Sequence, residues 1–173
     1  AVAVTLGQAL VKADKLEWVI QKATEVGAAR IAPLELARSV VRLESAKVPD
    51  RLRRWRRIAE EAARQSGRAD VPEVEAPTGL EAFLDAASGR GEAVALLWEG
   101  EREGQRLGDW VDRNLDRPLS ILVGPEGGLS EAEVALARER GAAIVGLGPR
   151  ILRSETAGIV GLALVLHHLG ELG

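Results

Sequence analysis

Residues 118–157 contain two short apolar segments, and each leads into a loop of unusual chemistry. The first segment, residues 119–123, precedes Gly124-Pro125-Glu126-Gly127-Gly128, whose glycines permit backbone angles that other residues avoid and leave amide groups uncovered. The second segment, residues 142–145, precedes a loop at 146–156 that carries arginines, a carboxylate and hydroxyls. Because ligands of open α/β sheets bind beyond the carboxyl ends of the strands, the two loops predict one composite site.

Length and composition indicate one globular domain. The chain has 173 residues, of which 46% are hydrophobic and 28% charged, so it is long enough to bury a core. Its longest apolar run, residues 159–166, is too short to span a bilayer, and no signal peptide is recognisable. The absence of cysteine excludes thiolate chemistry and fits a reducing compartment, so we expect a cytoplasmic protein.

The first residues have the composition of a strand. The chain contains no methionine and opens directly on Ala1-Val2-Ala3-Val4. We therefore expect it to be part of a longer protein, with a further N-terminal domain outside it.

Strand-like runs alternate with helical periodicities along the chain. This alternation predicts an α/β fold with a mostly parallel sheet and helices on both faces. The predicted strands are 1–4, 31–36, 71–74, 93–98, 119–123 and 142–145; the predicted helices are 15–26, 51–67, one after Thr78 that ends near Gly89, one that begins at Ser130, and 157–169. The acidic segment Glu99-Gly100-Glu101 follows the fourth strand, and 104–115 is a loop with at most one helix.

Several local signals refine these elements. The spacings of Asp14 and Glu17, of Thr78 and Glu81, and of Ser130 and Glu133 are typical of helix N-terminal caps, and the third directs a helix dipole at the glycine turn. Pro33 indicates an edge strand or a bulge. Trp18 lies among polar residues on its helix, which favours a second packing layer or a partner there.

The segment from Arg51 to Arg68 is the candidate RNA-binding surface. It carries seven arginines and two glutamates in a chain whose net charge is −3. Trp55 belongs to the apolar stripe of this helix and is expected in the core. The alternative is a solvated face with i,i+4 ion pairs to Glu60 and Glu61. The arginines that we expect to contact RNA are Arg53, Arg57, Arg64 and Arg68.

Most common catalytic and cofactor motifs are missing. The glycine turn lacks the lysine of a P-loop, and the loop after Gly146 lacks the third glycine of a dinucleotide fingerprint. The only two histidines, His167 and His168, are adjacent near a helix C-terminus, so we expect no metal site. Backbone groups, apolar walls, one carboxylate and arginines remain, and such a site suits a neutral or cationic adenosyl cofactor.

Five segments in order along nearly the whole chain share the pattern of one known family. They are Gln21-Lys22-Ala23-Thr24-Glu25-Val26-Gly27, Arg38-Ser39-Val40, Glu61-Ala62-Ala63-Arg64-Gln65-Ser66-Gly67-Arg68, Gly124-Pro125-Glu126-Gly127-Gly128, and Leu147-Gly148 with the following Ile151-Leu152-Arg153 and Glu155-Thr156-Ala157. These segments resemble the motifs of the RsmE family. Its members are SPOUT-class methyltransferases that use S-adenosylmethionine to methylate N3 of a uridine in 16S ribosomal RNA of the small ribosomal subunit.

The resemblance implies a C-terminal trefoil knot, cofactor in the knot loops, and an active site at a homodimer interface. It implies that Arg38 and Arg153 face the target nucleotide. Ala37 stands where the family often has glutamate, so no catalytic carboxylate is assigned there. The resemblance also implies an N-terminal PUA-like domain that helps to bind RNA, and we expect that domain to lie outside this chain. The implied cofactor-binding residues are Leu97, Gly124, Glu126, Gly127, Leu147, Gly148, Ile151, Leu152, Arg153, Thr156 and Ala157.

The apolar helix at 157–169 supports the homodimer independently, because Gly158 and Gly161 form a strip that permits close approach of a second backbone. Two other functions stay open on the residues alone. One is a non-enzymatic RNA-binding module that uses the Arg51 to Arg68 segment, and the other is a different nucleotide-binding α/β enzyme.

Overall fold

A computed structural model describes residues 1–99 and 104–173. Most of the acidic segment at 99–101 therefore lies outside the described residues. The strands are β1 Val4–Ala9, β2 Arg30–Leu34, β3 Glu73–Val74, β4 Ala93–Leu97, β5 Leu119–Val123 and β6 Ala143–Val145. The helices are α1 Ala13–Val26, α2 Val48–Gln65, α3 Leu80–Gly89, α4 Leu107–Asp112, α5 Glu131–Glu139 and α6 Ser154–His168, with a short 3₁₀ turn at Ser45–Lys47.

The described strands form one sheet in the order β3-β2-β1-β5-β4-β6, and all their pairings are parallel. The predicted α/β fold is confirmed. In this order β5 lies at the centre beside β1 and β4, so the glycine turn after β5 emerges in the middle of the sheet's carboxyl edge.

Each face of the sheet has its own apolar core. On one face, α1, α2, α4 and α6 pack through residues such as Leu16, Trp55 and Leu162. On the other face, α3 and α5 pack through residues such as Phe83 and Val134. Trp55 is 3% exposed, which confirms the prediction that it belongs to the core. Within the described residues, no helix combines the length and apolarity needed to cross a membrane.

The first strand was placed too early. β1 runs from Val4 to Ala9 rather than over 1–4, and all of its residues are buried. Gln8 interrupts the apolar pattern of this strand in the sequence, because it is polar although it is 0% exposed at the centre of the sheet. Burial of its amide nitrogen is stabilised by the hydrogen bond that Nε2 donates to Ser154 in α6, a partner that nothing near Gln8 in the sequence reveals.

Two of the predicted helix caps are wrong. α1 begins at Ala13 with Lys12 as its N-cap and has no side-chain cap, because Glu17 pairs with Arg54 of α2 instead. The helix after Thr78 has Gly79 as its N-cap, again without a side-chain cap. The third box is confirmed, since the side chains of Ser130 and Glu133 each bond the other's backbone N–H.

Pro33 does not mark an edge strand. β2 lies between β1 and β3, but β3 pairs only with Arg30 and Ile31. The Pro33 carbonyl accepts a bond from Thr78 on the β3 side, so its missing N–H faces the side where β3 has already ended. Trp18 lines a groove between α1 and α2 and is 43% exposed, so the second layer covers it only in part.

The glycine strip of α6 faces this chain's own sheet, which corrects the argument drawn from the sequence. A Cβ on Gly158 would overlap Gln8 Oε1 of β1, and one on Gly161 would lie 2.6 Å from Leu97 Cδ1 of β4. The close approach that these glycines permit is therefore used within the chain. Burial of α6 is also incomplete, because Leu164 on its outer side is 47% exposed.

Candidate active site

A cavity of about 430 Å³ lies beyond the carboxyl ends of β4, β5 and β6. Three loops and the first turns of α1 and α6 surround it. This is where ligands bind in parallel α/β sheets, and the volume falls within the roughly 300–1,000 Å³ of ligand sites. The lining residues are Lys15, Leu97, Trp98, Glu99, Val123, Gly124, Pro125, Glu126, Gly128, Leu129, Leu147, Gly148, Arg150, Ile151, Leu152, Arg153, Ser154, Glu155 and Ala157.

The glycine turn is held by local bonds and by contact with the loop after β2. Gly128 has φ +78°, in the left-handed region that favours glycine, and its N–H bonds the Pro125 carbonyl at 2.9 Å. Gly127 has no such φ, and it is small for another reason: a Cβ there would lie 3.0 Å from the Arg38 carbonyl oxygen. The loop that carries Arg38 therefore rests directly on the turn.

The start of α5 ties the two loops together. Glu133 closes the capping box with Oε1, which accepts from the Ser130 N–H at 3.0 Å, while its Oε2 accepts from the Ala37 N–H at 3.0 Å. One carboxylate thus fixes both the helix start and the loop that precedes Arg38. The predicted direction of the α5 N-terminus toward the glycine turn follows from this arrangement.

Both predicted catalytic arginines lie at this edge of the sheet. Arg38 is exposed, and its Nη1 lies 3.4 Å from the carbonyl oxygens of Gly127 and Leu129. It stands beside the cavity rather than in its lining. Arg153 lines the cavity and is the N-cap of α6, with an exposed side chain. Their guanidinium groups are therefore available for a substrate that approaches from solvent.

The loop after β6 combines backbone freedom with apolar side chains. Gly148 has φ +100°, a conformation in which a side chain would be strained. Leu147 packs against the core, whereas Ile151 is 81% exposed at the cavity rim. An isoleucine so exposed beside a cavity is suited to covering a bound ligand.

A buried hydrogen-bond chain connects three elements beneath the cavity. Gln8 Nε2 donates to Ser154 Oγ at 2.8 Å, and Ser154 Oγ donates to the Gly124 carbonyl at 2.5 Å. These bonds join β1, the first turn of α6 and the glycine turn. The two cavity loops therefore hold a fixed position relative to the central strand.

The structure brings most of the predicted cofactor residues together around the cavity. Only Gly127 and Thr156 of that set do not line it. The sequence analysis missed Lys15 and Trp98, and it placed Ser154 and Glu155 in the site loop without assigning them to the cofactor. Trp98 follows a strand end and Lys15 begins a helix, so their positions carried a signal, but nothing in the sequence links Lys15 to Glu155.

The predicted RNA-binding arginines differ in their surroundings. Arg53 and Arg68 both have ionic partners within the chain. Arg53 pairs with Asp50. Arg68 pairs with Asp70, and its Nη1 donates to the backbone carbonyls of Thr24 at 2.8 Å and Ala28 at 3.0 Å.

With 14% of its side chain exposed, Arg68 fastens α2 to the end of α1. Arg57 and Arg64 have exposed side chains on α2. Arg54 also has a structural partner, since its hydrogen bond holds the pKa of the Glu17 carboxyl below its usual range. Any phosphate contacts of this helix therefore fall mainly to Arg57 and Arg64.

No group of histidine, aspartate or glutamate side chains suited to a metal ion occurs within residues 1–99 and 104–173. The two histidines have local partners. His167 Nδ1 lies 2.9 Å from the Leu172 carbonyl, and His168 Nε2 lies 2.8 Å from Asp112 Oδ1.

The chain is thus an α/β protein with a ligand-sized cavity at the carboxyl edge of its parallel sheet, where α/β proteins of this class bind their ligands. Residues 1–166 match the model of a family described as RNA methyltransferase domain. The chain belongs to this RNA methyltransferase domain family.

Its relatives include the ribosomal RNA small subunit methyltransferase E of Bacillus subtilis, which is 40% identical over 165 residues. That match covers 94% of this chain and 64% of the relative, so the chain spans less than two thirds of the relative's length.

Solved structures agree with this assignment. A ribosomal RNA small subunit methyltransferase E from Neisseria gonorrhoeae, bound to S-adenosyl methionine, superposes with a TM-score of 0.86 at 32% identity. A methyltransferase from Legionella pneumophila in complex with the cofactor SAM gives 0.85 at 32% identity. Each match covers 96% of this chain and 66% of the other. The fold is therefore that of SPOUT-type methyltransferases.

Proposed function

We propose that this chain binds S-adenosylmethionine in the cavity and transfers its methyl group to N3 of a uridine in 16S ribosomal RNA. The observation that carries the proposal is the cavity itself. It gathers residues from three separate loops, and two relatives of the same fold are described with S-adenosylmethionine bound. The name of the Bacillus subtilis relative supports ribosomal RNA as the substrate.

The residues present fit this cofactor. Leu97, Leu147 and Ile151 offer apolar surface for an adenine ring, and the glycine turn offers backbone groups for its polar edges. Lys15 and Glu155 add one charge of each sign. When bound, S-adenosylmethionine supplies a methyl group on a positively charged sulfur, which is the electrophile of the reaction.

The arginines serve the target nucleotide. N3 of uridine must lose its proton to solvent, which leaves negative charge on N3 and the uracil carbonyl oxygens. N3 would then bond to the methyl carbon as the carbon–sulfur bond breaks and S-adenosylhomocysteine leaves. In this proposal Arg153, which lines the cavity, and Arg38, which lies beside it, stabilise that negative charge. The chain's contribution is thus the positioning of the two reactants and electrostatic stabilisation of the transition state.

A two-fold homodimer is part of the proposal, but its interface differs from the one expected from the sequence. The glycine strip of α6 is occupied by this chain's own sheet, so the interface falls to the outer side of α6, where Val160, Ala163 and Leu164 remain partly or fully exposed. Light scattering at micromolar concentration tests this placement. Leu164→Glu should give monomers, and a variant that remains dimeric would contradict it.

The exposed arginines of α2 are proposed to hold phosphates of the RNA. Their contribution should fall as salt rises, because phosphate contacts release counterions. An Arg57→Gln/Arg64→Gln variant should bind RNA more weakly and with a smaller salt slope. Arg68→Gln is not a suitable probe, since Arg68 secures the helix. We place the reaction in the cytoplasm, with the small ribosomal subunit and its RNA as partners.

The proposed reaction is tested by methyl transfer. S-adenosylmethionine labelled in its methyl group is incubated with the protein and unmodified 16S ribosomal RNA or small subunits, and the nucleosides are separated by mass spectrometry. We expect the label in 3-methyluridine. Label in another nucleoside, or cofactor binding without transfer to either substrate, would contradict the proposed reaction.

A further inference from the structure

Glu155 is a carboxylate in the lining of the cavity that accepts no hydrogen bond from the described residues at its buried Oε2. Its side chain is 13% exposed, and within residues 1–99 and 104–173 its Oε2 is buried without a hydrogen-bond partner. Burial of a charged group without hydrogen bonds is costly, so such a group calls for a functional explanation. The dipole at the start of α6 favours a negative charge at this position but supplies no donor to Oε2.

The only cation paired with Glu155 among the described residues is Lys15, in the first turn of α1. Lys15 Nζ lies 3.7 Å from Glu155 Oε1, close enough for an ion pair and too far for a hydrogen bond. Both residues line the cavity. The other charged residues of the lining, such as Glu126 and Arg150, are exposed. Lys15 and Glu155 therefore form a partly desolvated pair of opposite charges with unused hydrogen-bonding capacity.

A pair of this kind matches the charges of an α-amino acid. The ammonium group of a zwitterion has three N–H donors for a carboxylate, and its carboxylate accepts from a lysine. S-adenosylmethionine carries such a group at one end. Resting on the proposed function, we infer that Lys15 and Glu155 bind the amino-acid end of the cofactor, with the Glu155 carboxylate accepting from its ammonium group and Lys15 donating to its carboxylate.

This assignment also orients the cofactor. The pair lies where α1 and α6 begin, while the glycine turn and the Leu147 loop supply the surface suited to adenine. The amino-acid end at one side and the adenine at the other leave the sulfur and its methyl group between them.

Two adenosyl ligands that differ at one end test the inference. S-adenosylhomocysteine has the amino-acid end, whereas 5′-methylthioadenosine has the adenosine and the sulfur without it. Calorimetric titration gives Kd for both ligands with the wild-type protein, Glu155→Gln and Lys15→Met. We expect the Kd for S-adenosylhomocysteine to rise about tenfold or more in each variant, or ~1.4 kcal/mol, because hydrogen bonds to charged groups are lost. The Kd for 5′-methylthioadenosine should change less than about twofold.

A matched pair on the same helix serves as control. Lys22 and Glu25 of α1 form a half-buried ion pair at 3.2 Å that does not line the cavity, so Lys22→Met and Glu25→Gln should leave both Kd values unchanged. An equal loss of both ligands in Glu155→Gln would mean that the residue only shapes the cavity, and it would overturn the inference. So would unchanged binding of S-adenosylhomocysteine with slower methyl transfer, which would assign the pair to the target nucleotide. A wild-type protein that binds neither ligand would instead refute the proposed function.

Discussion

Gly158→Ala should destabilise the protein although alanine is the better helix former. Gly158 lies in α6 directly over Gln8, and an added Cβ would overlap Gln8 Oε1. Gln8 cannot turn away freely, because its Nε2 donates to Ser154 Oγ and its side chain is 0% exposed. We therefore expect the substitution both to strain the packing of α6 on the sheet and to break the hydrogen bond that connects β1 to the cavity loops.

The magnitude follows from three contributions. Overpacking a core costs ~1–3 kcal/mol. Loss of the Gln8–Ser154 bond costs ~0.5–1.5 kcal/mol, while alanine in a helix interior gains ~1 kcal/mol over glycine. The net loss is about 2 kcal/mol, which for a chain of this size lowers Tm by about 4–8 °C.

Thermal and urea unfolding of Gly158→Ala measure this loss, with Gly89→Ala as the control. Gly89 ends α3 and has no atom within 4 Å of an added Cβ, so its substitution should change stability by less than about 0.5 kcal/mol. Replacing Gln8 with alanine should remove most of the additional cost of Gly158→Ala, because the overlapping atom is then absent. A Gly158→Ala protein as stable as the wild type would refute the packing argument. A loss of stability that depends on protein concentration would indicate instead that Gly158 lies at a subunit interface.

Three further predictions concern the rim of the site and the opposite edge of the sheet. Arg38→Ala should leave the Kd for S-adenosylhomocysteine nearly unchanged and lower methyl transfer at saturating RNA by about tenfold or more, since Arg38 lies outside the cavity lining; unaltered turnover would make it a bystander. Gly127→Val should displace the Arg38 loop, because its Cβ would lie 3.0 Å from the Arg38 carbonyl oxygen, so methyl transfer should fall more than stability does. Normal turnover in a folded variant would show that this contact does not matter for activity. The hydrogen bond from Arg30 holds the pKa of Glu73 below its usual range, so the ionised carboxylate stabilises the fold above about pH 4.3, and this contribution is lost as the pH falls through the lowered pKa. Urea unfolding should show that Glu73→Gln is less stable than the wild type at pH 7 and that the difference disappears in acid, below the lowered pKa; a difference that stays the same in acid would contradict this reasoning.

The sequence predicts the parts of this fold that depend on local pattern. β5 was placed at its observed bounds because a short apolar run ends in an unmistakable glycine turn, and the Ser130 capping box was found from its spacing alone. The position of the site followed from the rule that ligands bind beyond the carboxyl ends of parallel strands.

The sequence does not predict features that join distant segments. Gln8 interrupts the apolar pattern of β1, and its partner Ser154 lies 146 residues away. A helix that is apolar all round carries no sign of which side faces the sheet, so the glycine strip of α6 was assigned to a second chain. The Lys15–Glu155 pair depends on two helices meeting at one edge of the sheet, which only the three-dimensional structure provides.

Calorimetric titration of the chain with S-adenosylmethionine, and in parallel with NAD and ATP, tests the central claim most directly. The cavity should bind S-adenosylmethionine saturably with one molecule per chain, and a side chain at Gly148, where φ is +100°, should weaken this binding by distorting the Leu147 loop. NAD and ATP should give no comparable heat. Absence of S-adenosylmethionine binding by a folded protein, or equal binding of ATP, would contradict the assignment of the cavity.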